Sequence, residues 1–180
     1  MKEPETIFAI GHSTREIGDF TEIIQAHGIN LLADIRTIPK SRHNPQFNQD
    51  FLKKQLKANK IRYRHLKELG GLRHAKRDSV NKAWKNASFR GFADYMQTRE
   101  FSEALRQLIE LGKRNRIAIM CAEGNPFRCH RSLVADALTI RKVRVLHISS
   151  RTSTRKHTLT RFAAVEGKRI TYPAPRAQSH

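Results

Sequence analysis

The sequence predicts an α/β fold: one domain built on an open, mostly parallel sheet with helices on both faces. Short apolar runs alternate with stretches whose apolar residues recur at helical spacing, as in successive βαβ units. The length of 180 residues suits one domain with its own core. No repeat or linker interrupts the chain, so we expect residues 1–180 to form a single α/β domain. Within it we expect a basic, loop-rich middle at 67–90 and a basic C-terminal segment at 150–180.

The first elements predict a βαβ unit. Residues 7–10 are a short apolar run, as in a buried strand. Ser13 and Glu16 have the spacing of a capping box, so a helix is expected to start there, with Gly28 ending it. Residues 30–36 predict the second strand. Two strands joined by a crossover helix should run parallel.

The middle of the chain is less regular. A helix is predicted over 48–58, and residues 61–66 alternate like a half-exposed strand. Residues 72–90 are basic and weakly patterned, and we expect a long functional loop or a broken helix there. Residues 101–112 then show the spacing of an amphipathic helix.

The last third predicts two more strands around a helix. Residues 117–121 are a continuous apolar run, and residues 143–148 are another. Between them, the predicted helix begins near Arg128.

Positive charge is the main compositional feature. The net charge is +19, and residues 36–90 carry 16 Lys or Arg against 3 acids, while residues 141–180 carry 10 against 1. Such density serves solubility or attracts a polyanion. We therefore expect either a solvated basic surface or a nucleic-acid or other phosphate-bearing partner.

The remaining composition predicts a cytoplasmic protein with no membrane partner. Two cysteines are too few for a disulfide framework, so both thiols are expected to be reduced. No run of about 18 apolar residues is present. The start, Met1 to Thr6, is acidic, unlike the basic start of a signal peptide.

The segment Cys121–Arg131 is the main candidate site. It follows a strand, turns through Gly124, and leads into the helix predicted near Arg128. A helix N-terminus and the guanidinium groups of Arg128 and Arg131 favour anions, and the same field lowers the pKa of nearby thiols. The layout is similar in kind to the phosphate loops of thiol phosphatases and rhodaneses, although the first arginine comes seven positions after Cys121.

Polar residues also follow the first two strands, where an open α/β sheet binds its ligands. His12 and Ser13 follow the first strand, and Asp34, Arg36 and Ser41 follow the second. We expect Ser13, Asp34, Arg36 and Ser41 to help hold a substrate or anion.

The candidate catalytic groups are two thiols and three proton-transfer side chains. Cys121 or Cys129 is the candidate nucleophile, and His12, Glu123 and His130 are the candidate acids or bases. Structural roles remain open for all of them, because a cysteine that ends a buried strand is often a small core residue.

A metal site is the weaker alternative. Cys121, Cys129, His130 and His12 are possible ligands, but seven residues between the cysteines exceed the usual close pairs. We therefore predict no metal ligands and no cofactor.

Several segments together resemble the family called domain of unknown function 488. The matching segments run in order along nearly the whole chain: 10–13, 34–41, 63–71, 121–123, 129–131, 147–148, 157–162 and 170–173. The resemblance implies a single-domain α/β fold with these motifs around a common site. It supplies no reaction.

These observations lead to one expected function and two alternatives. We expect an enzyme that acts on a phosphate-bearing substrate, either a nucleotide or a nucleic acid, at the Cys/His/Arg site. The first alternative is a non-catalytic nucleic-acid-binding protein that uses the basic stretches. The second is a metal-binding accessory protein. The oligomeric state is left open.

Overall fold

A computed structural model describes residues 3–177 of the chain. Its strands are β1 Thr6–Gly11, β2 Leu31–Asp34, β3 Arg62–His65, β4 Ile117–Cys121, β5 Arg144–Ile148, β6 Thr154–Lys156, β7 Ala164–Glu166 and β8 Arg169–Thr171. Its helices are α1 Ile17–Ala26, α2 Gln49–Ala58, α3 Ala87–Tyr95, α4 Arg99–Arg114 and α5 Arg131–Thr139.

Six strands form the main sheet, in the order β3-β2-β4-β1-β5-β6. The first five are parallel to their neighbours, and β6 runs antiparallel to β5 at one edge. β7 and β8 form a separate small hairpin. Because β4 lies between β2 and β1, the segments that follow these three strands leave the same edge of the sheet side by side.

Each face of the sheet has its own apolar core. One core contains Phe20 and Ile24 of α1 and Leu52 and Leu56 of α2, packed under the sheet. The opposite core contains the apolar side chains of α3, α4 and α5. The predicted α/β fold, with a mostly parallel sheet and helices on both faces, is confirmed.

The predicted start of the first helix is wrong. α1 begins at Ile17, and Glu16 precedes it without a side-chain cap. The backbone N–H groups of His12 and Ser13 instead donate to the carbonyls of Cys121 and Ala122, at 2.9 Å each. This pairing holds the backbone of Ser13 in a turn with φ 51°, so its side chain does not cap the helix.

The predicted start of the last helix near Arg128 is also wrong. Pro126–Arg128 is a separate 3-10 turn, and the side chain of Asn125 accepts a hydrogen bond from the N–H of Phe127 there. Cys129 then adopts extended backbone angles, φ −133° and ψ 144°, which end that turn. α5 therefore begins only at Arg131.

The basic middle is an ordered loop followed by α3, which the sequence pattern did not indicate. Asp94 of α3 accepts hydrogen bonds from the N–H of Lys76, Oγ of Ser79 and Nδ2 of Asn81, at 2.6–2.8 Å. A side chain at Gly91 would clash with the backbone at Arg73. Glycine inside this helix therefore allows the loop to lie directly against it.

No helix within residues 3–177 has the length and apolar character that a membrane span needs. Met1 and Lys2, which belong to the acidic start considered above, lie outside the described residues.

Candidate functional site

The main candidate site is a cavity of about 390 Å³, called here the cysteine cavity. The segments that follow β2 and β4 form most of its wall, together with residues 71–72 and the start of α3. Six predicted site residues line it: Arg36, Cys121, Glu123, Arg128, Cys129 and His130. Segments far apart in sequence therefore meet here, as expected at the carboxyl ends of parallel strands.

The other five predicted site residues are not part of this wall: His12, Ser13, Asp34, Ser41 and Arg131. Four of them nevertheless contact residues that are in it. Arg131 contacts Cys121 and Asp34 binds Arg36. The backbone N–H groups of His12 and Ser13 donate to the carbonyls of Cys121 and Ala122.

The two thiols lie against each other. Cys129 Sγ donates a hydrogen bond to Cys121 Sγ across 2.8 Å, and Arg131 Nη1 donates to the same Cys121 sulfur at 3.3 Å. The side chains are 2% and 7% exposed, yet both line the cavity. Cys121 is thus the acceptor at the centre of the site.

The environment makes Cys121 the more acidic thiol. Burial by itself favours the neutral thiol, but the hydrogen bond from Cys129 and the charge of Arg131 outweigh burial and lower the pKa of Cys121. For Cys129, the hydrogen bond to Cys121 and burial both raise the pKa. When the pair loses one proton, the negative charge therefore lies on Cys121 and the remaining proton on Cys129.

The start of α5 also contacts the thiol pair, and its backbone donor to Cys129 opposes part of the rise in the pKa of Cys129. The N–H of Arg131, the first residue of α5, donates to Cys129 Sγ at 3.4 Å, and Ser132 N–H donates to the Cys129 carbonyl. The positive end of a helix thus faces the thiol pair, which favours a thiolate. This replaces the helix terminus that was expected near Arg128.

Gly11 allows the loop and the guanidinium to lie over β1. A Cβ at this position would clash with the carbonyl oxygen of Glu123 and lie 2.8 Å from Arg131 Nη1. Only glycine leaves room for both groups next to Cys121, which is the register partner of Gly11 on β4.

Arg36 is held by a buried ion pair. Its Nε and Nη2 donate to the two carboxylate oxygens of Asp34 at 2.9 and 2.7 Å, and Nη2 also donates to the Phe47 carbonyl. Tyr63 donates its hydroxyl proton to Asp34, and burial together with that carboxylate raises the pKa of Tyr63. Among the described residues, Arg36 Nη1 is buried without a hydrogen-bond partner, and Arg36 lines the cavity.

His130 is a neutral side chain in the cavity wall. Its Nε2 lies 3.1 Å from the Ile35 carbonyl, which can only accept, so Nε2 carries the proton. Nδ1 then carries a lone pair and lies 3.5 Å from Cys129 Sγ, whose one proton is donated to Cys121. Burial lowers the pKa of His130 to about 4.

The predicted residues outside the wall have local contacts of their own. The His12 ring stacks on Phe47 at 4.2 Å, and burial lowers the pKa of His12 to about 4. Ser41 Oγ accepts from the N–H of Asn44 within the loop after β2. Ser13 lies next to Gly124, in the loop that carries Glu123.

The charged groups in the cavity wall are mainly positive. Arg128 and Glu123 are exposed on the loop after β4, and Glu123 Oε1 accepts from the N–H of Asn125. Lys40 and Arg36 line the opposite segment. Three cationic side chains thus share the wall with one carboxylate, which favours an anionic ligand.

Sequence reasoning missed part of the site. Lys40 was not singled out, although it follows the same strand as Arg36, and Asn86 and Phe89 enter the wall because α3 brings them there. A buried chain of Asp136, His157 and His147 was missed as well. The positive charge after Pro39 could have indicated Lys40, whereas the other contacts depend on the tertiary fold.

Within residues 3–177, no group of three or more His, Cys, Asp or Glu side chains is arranged to hold a metal ion.

Comparison with known proteins gives a family and no reaction. The model of the family described as "Domain of unknown function DUF488" matches residues 16–138, more than half of the chain. The matched region includes both cysteines and Arg131 but ends before His147 and His157. No curated protein and no solved structure matches the chain. The protein therefore belongs to the DUF488 family.

Proposed function

We propose that this protein is an enzyme that binds a phosphate-bearing substrate in the cysteine cavity and uses Cys121 as its nucleophile. The observation that carries the proposal is the position of the Cys121 sulfur. It accepts hydrogen bonds from Cys129 and Arg131 and lies in the wall of a cavity with three cationic side chains. A thiolate beside an anion-binding surface is the arrangement that thiol-dependent phosphoryl transfer requires.

The cations of the cavity are suited to the substrate phosphate. Arg36 has its orientation set by Asp34 and keeps Nη1 free of partners among the described residues. Lys40 and Arg128 are exposed and can move toward the ligand. A buried guanidinium in a fixed orientation together with two exposed cations suits reversible binding of an anion.

The reaction we propose has two steps. The Cys121 thiolate attacks phosphorus, so that an S–P bond forms while the P–O bond to the leaving group breaks. The departing oxygen takes a proton from the solvent. Water then attacks the phosphorus while the Glu123 carboxylate takes a proton from that water and returns it to the solvent, the S–P bond breaks, and phosphate leaves with the Cys121 thiolate restored.

Cys129 acts in this scheme as a hydrogen-bond donor. Its raised pKa keeps the proton on its own sulfur, and that proton points to Cys121. Loss of the Cys129 thiol should raise the pKa of Cys121, so that less thiolate is present, but the nucleophile itself remains.

The test is phosphate release from a panel of nucleotides and simple phosphate esters. Cys121→Ser should lose at least about 100-fold in kcat, and Cys129→Ser should lose less. Arg128→Ala should raise KM, while Arg106→Ala, an exposed arginine of α4, serves as the matched control. Full activity in both cysteine variants would exclude the thiol mechanism.

A second candidate function is nucleic-acid binding in a groove at the edge strand β3, away from the cysteine cavity. A groove of about 800 Å³ runs between α2 and the edge strand β3. Five cations line it with one acid, Asp50; the cations are Lys53, Lys54, Lys57, Arg62 and Arg64. Such a groove fits the phosphate backbone of a nucleic acid.

Salt dependence distinguishes this second function. The affinity for single- and double-stranded oligonucleotides should fall steeply with salt, and Lys54→Glu with Lys57→Glu should reduce the slope of log Kd against log salt by about 2. Cys121→Ser should bind as the unchanged protein does. An unaltered slope in the double variant would rule out this groove.

A further inference from the structure

A second cavity lies among β5, β6 and the chain that follows β6. Its volume is about 380 Å³, and we call it the histidine cavity. Its wall includes three aromatic side chains, three cations and the buried His147; the others are Trp84, Phe127, Phe162, Arg155, Lys156 and Arg161. Lys156 of β6 lies opposite Leu146 of β5, and Arg155 lies opposite His147.

A chain of buried hydrogen bonds leads to this cavity. The two imidazoles meet with His147 Nε2 at 2.9 Å from His157 Nδ1. His157 Nε2 lies 2.8 Å from Asp136 Oδ1, and Tyr172 donates its hydroxyl proton to Asp136 Oδ2 at 2.8 Å. The N–H of Thr160 also donates to Asp136. Asp136 thus anchors a His–His pair between α5 and β5.

The carboxylate of Asp136 determines which atoms donate and which accept along this series of hydrogen bonds. Asp136 only accepts, so His157 Nε2 must donate to it. With neutral imidazoles, His157 Nδ1 accepts, His147 Nε2 donates to it, and His147 Nδ1 is left with a lone pair. Within residues 3–177 that atom has no partner, although His147 is only 7% exposed. A buried acceptor without a partner in a cavity wall indicates a ligand with an N–H group.

The aromatic and charged side chains further restrict the chemical class of the ligand. Trp84 and Phe162 lie edge to face with ring centroids 4.9 Å apart, and Phe127 and Phe162 are 58% and 39% exposed. The guanidinium of Arg155 lies over the Phe127 ring at 5.4 Å. Exposed aromatic rings beside cations are the usual surface for stacking a nucleobase and holding its phosphate.

We propose that the histidine cavity binds the base of a nucleotide or of single-stranded nucleic acid, with His147 Nδ1 accepting a hydrogen bond from the base. All the common bases carry an N–H group that suits this acceptor. Phe127 and Phe162 provide the stacking surface, and Arg155, Lys156 and Arg161 hold the phosphate. This inference does not rest on the thiol chemistry proposed above, because none of these residues belongs to the cysteine cavity.

The chain offers its own probe, because Trp84 is the single tryptophan and lines the cavity. Its fluorescence is titrated with four ribonucleoside monophosphates, with ribose 5-phosphate, and with a short single-stranded oligonucleotide. Nucleotides or the oligonucleotide should change the emission, and ribose 5-phosphate should bind at least about tenfold more weakly because it lacks the base. Stronger binding of the oligonucleotide identifies nucleic acid as the source of the base, and equal binding identifies the free nucleotide.

Variants of the wall residues test whether the ligand binds in this cavity. His147→Phe should raise Kd about tenfold, and the double variant Arg155→Ala with Arg161→Ala should do the same. Because Arg155 and Arg161 are exposed, the double variant should fold normally, which circular dichroism checks. Arg106→Ala, an exposed arginine of α4 that lines neither cavity, should bind unchanged. An unchanged Kd in His147→Phe and in the double variant of Arg155 and Arg161 would overturn the proposal, as would ribose 5-phosphate binding as well as the nucleotides.

Discussion

At the scale of single residues, Arg131 connects the parts of the cysteine site. It is 1% exposed, and its guanidinium donates to Cys121 Sγ and to the Gly124 carbonyl, at 3.3 Å each. A buried guanidinium needs a negative partner, and the side chain next to it that can supply one is the thiol of Cys121. The charge of Arg131 therefore favours the thiolate form of Cys121.

This dependence predicts a pH effect on alkylation. In Arg131→Gln the pKa of Cys121 should rise by about one to two pH units, because a hydrogen bond from a charged donor contributes roughly 1.5–3 kcal/mol. The measurement is the rate of iodoacetamide labelling of Cys121 against pH, followed by mass spectrometry. Arg128→Gln, which removes an exposed cation, should leave the profile in place. A common profile for all three proteins would contradict the assigned role of Arg131.

The buried Asp34–Arg36 pair predicts a large loss of stability. Asp34→Asn leaves the Arg36 guanidinium buried without its carboxylate, which costs about 3–5 kcal/mol in the free energy of unfolding. Urea unfolding measures it, with Asp78→Asn at an exposed position as the control. Equal stability of the two variants would show that the pair is not needed.

At the scale of elements, α3 organises the long basic loop before it. Asp94 binds three groups of that loop, and Asn81 Oδ1 in turn accepts from the N–H of Tyr172 near the C-terminal end. One carboxylate thus ties the loop to α3 and, through Asn81, to the segment that carries Tyr172. Trp84 and Phe89 reach the two cavities because of this anchoring.

Removal of the anchor should expose the loop to protease. In Asp94→Ala three donors lose a charged acceptor, and each such bond contributes roughly 1.5–3 kcal/mol. We expect limited trypsin treatment to cut first within residues 73–85, which contain five Lys or Arg. Asp78→Ala, an exposed change in the same loop, should be cut at the rate of the unchanged protein. If Asp94→Ala resists trypsin equally, the loop is held by other contacts.

At the scale of the whole molecule, three histidines among residues 3–177 are held in the neutral form. Burial lowers the pKa of His12 and His130 to about 4 and that of His147 to about 3, against an ordinary value of 6.5. Unfolding exposes all three, so the unfolded chain binds more protons than the folded one below about pH 6.5. Stability should therefore fall as pH falls through this range and level off for these groups near their folded pKa values.

The expected change in the free energy of unfolding with pH is large enough to measure. Each buried histidine contributes up to about 1.4 kcal/mol per pH unit to the free energy of unfolding. Urea unfolding between about pH 7 and pH 5 should show this slope, and His12→Gln should reduce it. His43→Gln, at an exposed position, should not change it. A flat pH dependence in the unchanged protein would contradict the neutral burial of these side chains.

Much of the fold was predictable because its signals are local. The apolar runs that became β1, β2, β4 and β5 are continuous, since strands covered on both faces must be apolar throughout. The helix start at Ile17 was misplaced because the backbone of Ser13 bonds to the distant Ala122. The start at Arg131 was misplaced because Cys129 adopts extended backbone angles after the 3-10 turn. A capping pattern in the sequence contains neither feature.

The sequence by itself determined the α/β class, the family resemblance and the strand-end segments that carry reactive side chains. The tertiary structure decided which of those side chains meet. It separated His12 and Ser41 from the cavity, made Cys121 the acceptor of the thiol pair, and formed a second cavity beside His147. The reason is that the pKa of a thiol and the direction of a series of hydrogen bonds both depend on neighbouring groups. The position of β4 between β2 and β1 and the packing of α5 against β5 bring these groups together.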